Sequence, residues 1–228
     1  MNVYSRKRRR RMHALPAAIA LIAFAVLWLI SNQTSAETLL SAQSLDQWDK
    51  DCRRCVIEAQ YDVMKGEIIR LEADMGEASL DKVFVSEGSR PVIAWSWSVD
   101  SFDLDRHADL FRITVDLRSE PSGTDYRVHY AWDPTANTGD FDALGGNEFV
   151  WVVCGSDCKS RRWYSVERDL TLDFSVLTES EESVTPVRFE AALGDPSGRK
   201  TEAGGYLESI VVNYLPEPVP EEPVATSD

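Results

Sequence analysis

The chain has 228 residues, with 24 Lys+Arg against 38 Asp+Glu and a formal net charge of −14. Residues 1–36 hold six bases and no acid, so 37–228 carries 18 bases against 38 acids, a net charge of −20; that balance excludes nucleic-acid binding by the main body, because neutralising phosphates needs clustered Lys and Arg. Hydrophobic residues at 43% and aromatics at 10% exclude a wholly disordered chain, and the length suits one folded domain.

Arg6–Arg11 is an unbroken cationic run, followed by an apolar stretch from Ala14 to Ile30 interrupted only by Pro16. As a helix that stretch spans roughly 25 Å at about 1.5 Å per residue, and 14–32 just crosses a hydrocarbon core of about 30 Å. The one-sided charge places 1–13 in the cytoplasm and the body on the far side of the membrane. A cleaved secretory signal has the same charge pattern, and Thr34-Ser35-Ala36 offers small residues for a cut after Ala36. A single-pass anchor is the reading adopted, with release after cleavage as its alternative. Residues 33–45 read as a linker, 46–215 as the folded body, and 216–228, which holds four prolines, as a disordered tail.

Within the body, Leu45–Lys65 is expected to be helical, with Ser44 as a possible N-cap. The pattern then turns to period two. Glu67–Ala73, Lys82–Ser86, Val92–Val99, Leu110–Leu117, Tyr126–Trp132, Glu148–Cys154, Val187–Leu193 and Tyr206–Leu215 read as strands, and Arg162–Phe174 as one or two more. Ile93, Trp95, Trp97 and Val99 share one strand face, as do Phe111, Ile113, Val115 and Leu117. A short helix is expected near Asp173–Ser180. With no βαβ period, the fold class is all-β: an antiparallel sandwich, jelly-roll or galactose-binding-like, preceded by one transmembrane helix.

Four cysteines fall as Cys52/Cys55 and Cys154/Cys158. In an oxidising compartment an even count reads as disulfides, and three pairings are open. A zinc site has acceptable spacing within each pair, but the 98-residue gap between the pairs and the compartment argue against it. Thioredoxin-type chemistry lacks its βαβ setting, and neither pair is followed by the His that haem attachment needs.

No nucleophile, metal-hydrolase or nucleotide motif is present, so the expectation is a protein that is not an enzyme and holds no cofactor. His129 falls on an outward strand face and His107 in a polar loop, both read as solvated. Acidic loops containing Asp103 and Asp105, and Asp140 and Asp142, have the oxygen ligands calcium takes but not the spacing of a known calcium loop. Of the tryptophans, Trp95 and Trp97 read as core. Trp163, next to Arg161 and Arg162 in the one basic patch of the body, is the candidate for an exposed ring that contacts a ligand or partner.

Read in order, Trp95-Ser-Trp97-Ser-Val99, Arg112-Ile-Thr-Val-Asp116-Leu, Tyr130-Ala-Trp132, Trp163-Tyr-Ser-Val-Glu167-Arg168-Asp169, Asp173, Asp195 and Gly205-Tyr-Leu-Glu-Ser-Ile210 resemble the DUF3047 family of exported bacterial proteins, over roughly 60–212. The resemblance implies a β-sandwich like those of carbohydrate-binding or galactose-binding-like modules, with no assigned catalytic residues. The expected function is an anchored periplasmic accessory subunit of a membrane complex, respiratory or photosynthetic. It would act through contacts with integral membrane subunits, the bilayer and a basic soluble protein such as a c-type cytochrome steered by the acidic body. An envelope carbohydrate-binding module that takes a glycan is the alternative, and a hydrolase with paired carboxylates the second.

Overall fold

A computed structural model describes residues 36–74, 76–86, 88–102, 110–120, 122–194 and 202–216. The basic N-terminus, the apolar stretch through residue 35, Asp103, Asp105, His107 and Asp195, and the tail from 217 onward lie outside the described residues. Among the described residues, no helix is long and apolar enough to cross a membrane.

The strands in chain order are β1 (Glu37–Leu40), β2 (Asp49–Cys52), β3 (Cys55–Asp62), β4 (Gly66–Asp74), β5 (Glu77–Val83), β6 (Pro91–Phe102), β7 (Phe111–Ser119), β8 (Asp125–Trp132), β9 (Phe141–Gly145), β10 (Glu148–Cys154), β11 (Tyr164–Asp169), β12 (Val184–Gly194) and β13 (Glu202–Tyr214), with helix α1 (Leu170–Thr178) between β11 and β12. They build two sheets. The first runs β11-β6-β13-β4-β3, with β1 beside β13; the second runs β2-β5-β12-β7-β8-β10-β9. Their inner faces pack together, so the chain is an all-β sandwich. Trp97 of the first sheet meets Phe111 and Trp132 of the second at ring centroid distances of 5.1 and 5.9 Å, and Trp95 meets Tyr130 at 5.5 Å. Such pairs add about 0.5–1.5 kcal/mol each beyond area burial. Opposite Phe111 stands Gly205, where a Cβ would come within 3.2 Å of the ring, so a side chain there would force the ring to shift.

The alternation read from the sequence is realised in β6 and β7, whose apolar positions are buried and whose Arg112 and Asp116 are half-buried. Four expectations are corrected. Leu45–Lys65 is not helical: a short 3-10 turn (Ala42–Gln47) leads into β2 and β3. The reason is local: Cys52 and Cys55 are bridged across the β2–β3 turn, and the Asp62 carboxylate accepts from the amides of Met64 and Lys65 to close a β3–β4 hairpin.

Residues 33–45 are not simply a linker either. Glu37–Leu40 pairs with β13, Leu39 and Leu40 are buried, and the Trp48 indole donates to the Leu39 carbonyl at 3.0 Å. The strand read at Lys82–Ser86 begins five residues earlier, at Glu77, and leaves Val85 exposed beyond its end. Finally, the sandwich is not purely antiparallel. β9, a strand hidden in the acidic loop, forms the outer edge, and β10 hairpins back beside β8 in parallel register. Gly145 and Gly146, at φ +116° and +63°, make that turn.

The expected helix is present as α1, but it begins at Leu170, inside the stretch read as strand to Phe174, and ends at Thr178. Asp169 caps it by accepting from the amides of Thr171 and Leu172, both at 3.1 Å. The disulfides are both local, Cys52–Cys55 and Cys154–Cys158, and not cross-linked between the pairs.

Candidate functional site

The two outward faces of the sandwich differ in kind. The second sheet presents charges matched to one another: Arg127 pairs with Asp116 at 2.7 Å, Arg188 with Asp81 at 2.8 Å, Arg118 with Asp125 at 2.8 Å, and Arg112 with Glu77. Burial, only partly offset by Arg112, raises the Glu77 carboxyl above its usual value. His129 belongs to this lattice and is not solvated as expected: its ring nitrogens lie 2.9 Å from Thr114 Oγ1 and 2.7 Å from Glu148 Oε1.

The outward face of the first sheet carries the aromatic side chains. Strand register explains why. Tyr164 pairs with Trp97, so Trp163 comes level with Ser98; Tyr206 pairs with Ser98 on one side and with Arg70 on the other, and Arg70 pairs with Glu58. Trp97, Val99, Gly205 and Leu207 point inward, so Trp163, Ser98, Tyr206, Arg70 and Glu58 form one row across the outer face. The Trp163 and Tyr206 rings are half-buried, 6.4 Å apart and tilted by 39°. Lys65, carried in by the β3–β4 turn, places its ammonium 5.2 Å from the Trp163 ring centroid and pairs with Glu208 at 2.8 Å. Between Leu207 and Ile210, both fully buried, a β-bulge turns Glu208 and Ser209 away from the core.

Polar groups surround the rings. Ser96 and Ser165 share a 2.8 Å hydrogen bond, and with Ser209, Glu167 and Val211 they line a shallow depression of about 230 Å³. Further along the strands, Ser101, Gly204, Glu72 and Glu202 line another of about 550 Å³. Two arginines of this face, Arg70 and Arg161, are matched to carboxylates. Arg70 donates to Glu72 and lies 3.3 Å from Glu58; the hydrogen bond to Glu72, and behind it the charges of Glu72, Tyr206 and Glu58, hold the guanidinium more firmly protonated than usual against the opposing effect of burial. Arg161 donates to Asp100 at 2.8 Å.

The structure thus brings Trp163 and Arg161 together on one face, with Arg162 exposed beside them. Trp95, Trp97 and Trp132 are in the core, as expected of the first two. Trp151 lies under the Arg168 guanidinium at 4.1 Å. Asp140 is occupied by the backbone amide and the side chain of Asn137, both at 3.1 Å, and Asp142 accepts from the amide of Ala143. Among the described residues, no group of three or more His, Cys, Asp or Glu is placed to hold a metal ion. Tyr206, Lys65, Glu208 and the three serines were not read as site residues from the sequence. For Tyr206 the signal was present, since it precedes a core leucine in an alternating strand, but the bulge after it breaks the period.

No protein-family model and no curated protein matches the chain. Solved structures do. The xylan-binding CBM22-1 domain of Paenibacillus barcinonensis Xyn10C is similar at 9% identity and a TM-score of 0.36, covering 78% of this chain and 92% of that one. The CBM22-1–GH10 modules of Clostridium thermocellum xylanase 10B, complexed with xylohexaose, are similar at 6% identity and a TM-score of 0.40, over 78% of this chain and 28% of that one. A carbohydrate-binding module of the β-sandwich superfamily described as promiscuous in specificity is similar at 8% identity and a TM-score of 0.39, over 78% and 62%.

Proposed function

We propose that the protein is a carbohydrate-binding module, with the outward face of the first sheet as its glycan surface. The observation that carries this is the row in which Trp163 and Tyr206 stand side by side among serines and matched ion pairs. A sugar ring has an apolar C–H face and a rim of hydroxyls. A half-buried indole offers area to the first, while hydroxyls, carboxylates and guanidinium groups offer acceptors and donors to the second. Because Tyr206 sits within β13 and Trp163 immediately precedes β11, with both rings half-buried, little ordering entropy is lost on binding. The accessory-subunit expectation rests on residues 1–36 and on the acidic balance of the body, and an anchored or exported glycan-binding module in the envelope accommodates both.

The test is isothermal titration of the protein against soluble xylan, mannan, mixed-linkage glucan and polygalacturonate. Binding to at least one, weakened about tenfold or more by Trp163→Ala with an unchanged circular dichroism spectrum, is the expected result. A wild-type protein that binds none of these removes the reading.

A further inference from the structure

The site's shape and charge specify more than a sugar. We infer that its ligand is an uncharged, linear polysaccharide that lies along β6 and β13 and is engaged through internal units instead of a chain end. This inference rests on the glycan reading above.

The length argument comes from the register. The depression at Ser96, Ser165 and Ser209 lies on one side of the Trp163–Tyr206 row, and that at Ser101 and Gly204 lies on the other, where it spreads from β6 and β13 onto β4 and β3. From Ala94 to Ser101 a strand covers about 23 Å at about 3.3 Å per residue. The rings therefore stand between two depressions, with open surface on both sides of them. At the far side Gly204 keeps the floor low, since a Cβ there would sit 3.2 Å from Ser101 Oγ. A ligand read by its terminus needs a wall that stops it, whereas a polymer passing over a central pair of rings needs room on both sides.

The charge argument comes from the pairing. Lys65, Arg70 and Arg161 each have a carboxylate partner, so an anionic sugar would have to break an ion pair to gain one. Glu167 and Glu202 stand exposed at the two depressions with no cation partner among the described residues, and the body carries a net charge of −20. A uronate polymer meets Glu167 at the first depression, and Glu72, Asp74 and Glu202 against the single cation Arg54 at the second. Neutral hydroxyls meet Ser Oγ atoms, which both donate and accept, and carboxylates that accept.

The experiment is titration of the full chain with neutral linear xylo- and manno-oligosaccharides from disaccharide to hexasaccharide, the same hexasaccharides with their reducing ends converted to alditols, and oligogalacturonates. The expected result is affinity that rises about tenfold or more with length, is unchanged by end reduction, and is at least about tenfold weaker for the oligogalacturonates. Ser165→Trp fills the first depression from an exposed position and should erase the gain with length while keeping disaccharide binding. Length-independent affinity, loss of binding on end reduction, or tighter binding of oligogalacturonates overturns this inference while leaving a glycan module in place. Absence of binding to every glycan overturns the underlying reading as well.

Discussion

The Tyr130 hydroxyl donates a 2.7 Å hydrogen bond to the Asp173 carboxylate, which joins strand β8 of one sheet to helix α1. The same carboxylate receives Arg168 through two bonds of 2.8 and 2.5 Å, and the guanidinium lies on the Trp151 ring. Burial works against the charge on Arg168, but the hydrogen bond and charge of Asp173 outweigh it and raise the guanidinium above its usual value. Asp173→Ala leaves this cation and the phenol without their acceptor and should cost about 3 kcal/mol or more. Tyr130→Phe leaves Asp173 still held by Arg168 and should cost about 1 kcal/mol. Urea unfolding of the two variants checks the order; equal losses would mean that the ion pair contributes nothing of its own.

Burial first, and then the charge and hydrogen bond of Asp173, push the Tyr130 phenol well above the ordinary tyrosine value of 10.0. Below that value the phenol is neutral in both folded and unfolded chains, and its contribution to stability is complete. Above it the unfolded chain ionises while the folded one resists, so stability is lost as pH rises through the folded-state value. Stability curves of wild type and Tyr130→Phe should run parallel up to about pH 10 and converge or cross beyond it. Curves that stay parallel at higher pH would show that the phenol titrates normally.

Leu40 is fully buried in a strand only four residues long, paired to Ile210. Leu40→Ala should cost about 2–5 kcal/mol, the range for a cavity in a packed core. A chain that starts at Ser41 loses Leu39 as well and should melt far below one that starts at Ala36. If both melt at the same temperature, β1 is an appendage and not part of the core.

Each disulfide closes a very short loop, with partners three and four residues apart. By the chain-entropy relation each contributes about 2 kcal/mol, far less than a link across the body would. Peptide mapping without reductant should find Cys52 joined to Cys55 and Cys154 to Cys158. Reduction should lower the melting temperature and keep the far-ultraviolet spectrum at room temperature. A peptide joining the two pairs would refute the pairing.

Periodicity two made β6, β7, β8, β12 and β13 legible because each has one face against a core and one against water, and the sequence records that contrast residue by residue. The same logic failed where no such contrast exists. β9 is exposed along its whole length, and β3 is at an edge with mostly exposed or half-buried residues. Their residues look like a loop and a polar helix, and only pairing with β10 and β4 makes them strands.

The candidate site divides the same way. Trp163 stood out as an aromatic among bases, and that much is chemical composition. Its companions Lys65, Ser98 and Tyr206 are distant in the chain, and what makes them neighbours is the register of β11, β6, β13 and β4. Sequence by itself determined the acidic balance, the half-buried strands and the tryptophan core, because these follow from each residue's own preference for water or its absence. Which carboxylate neutralises which cation, which cysteine finds which, and which face keeps its rings at the surface were decided by tertiary structure. Those outcomes depend on distances between strands, which no local pattern encodes.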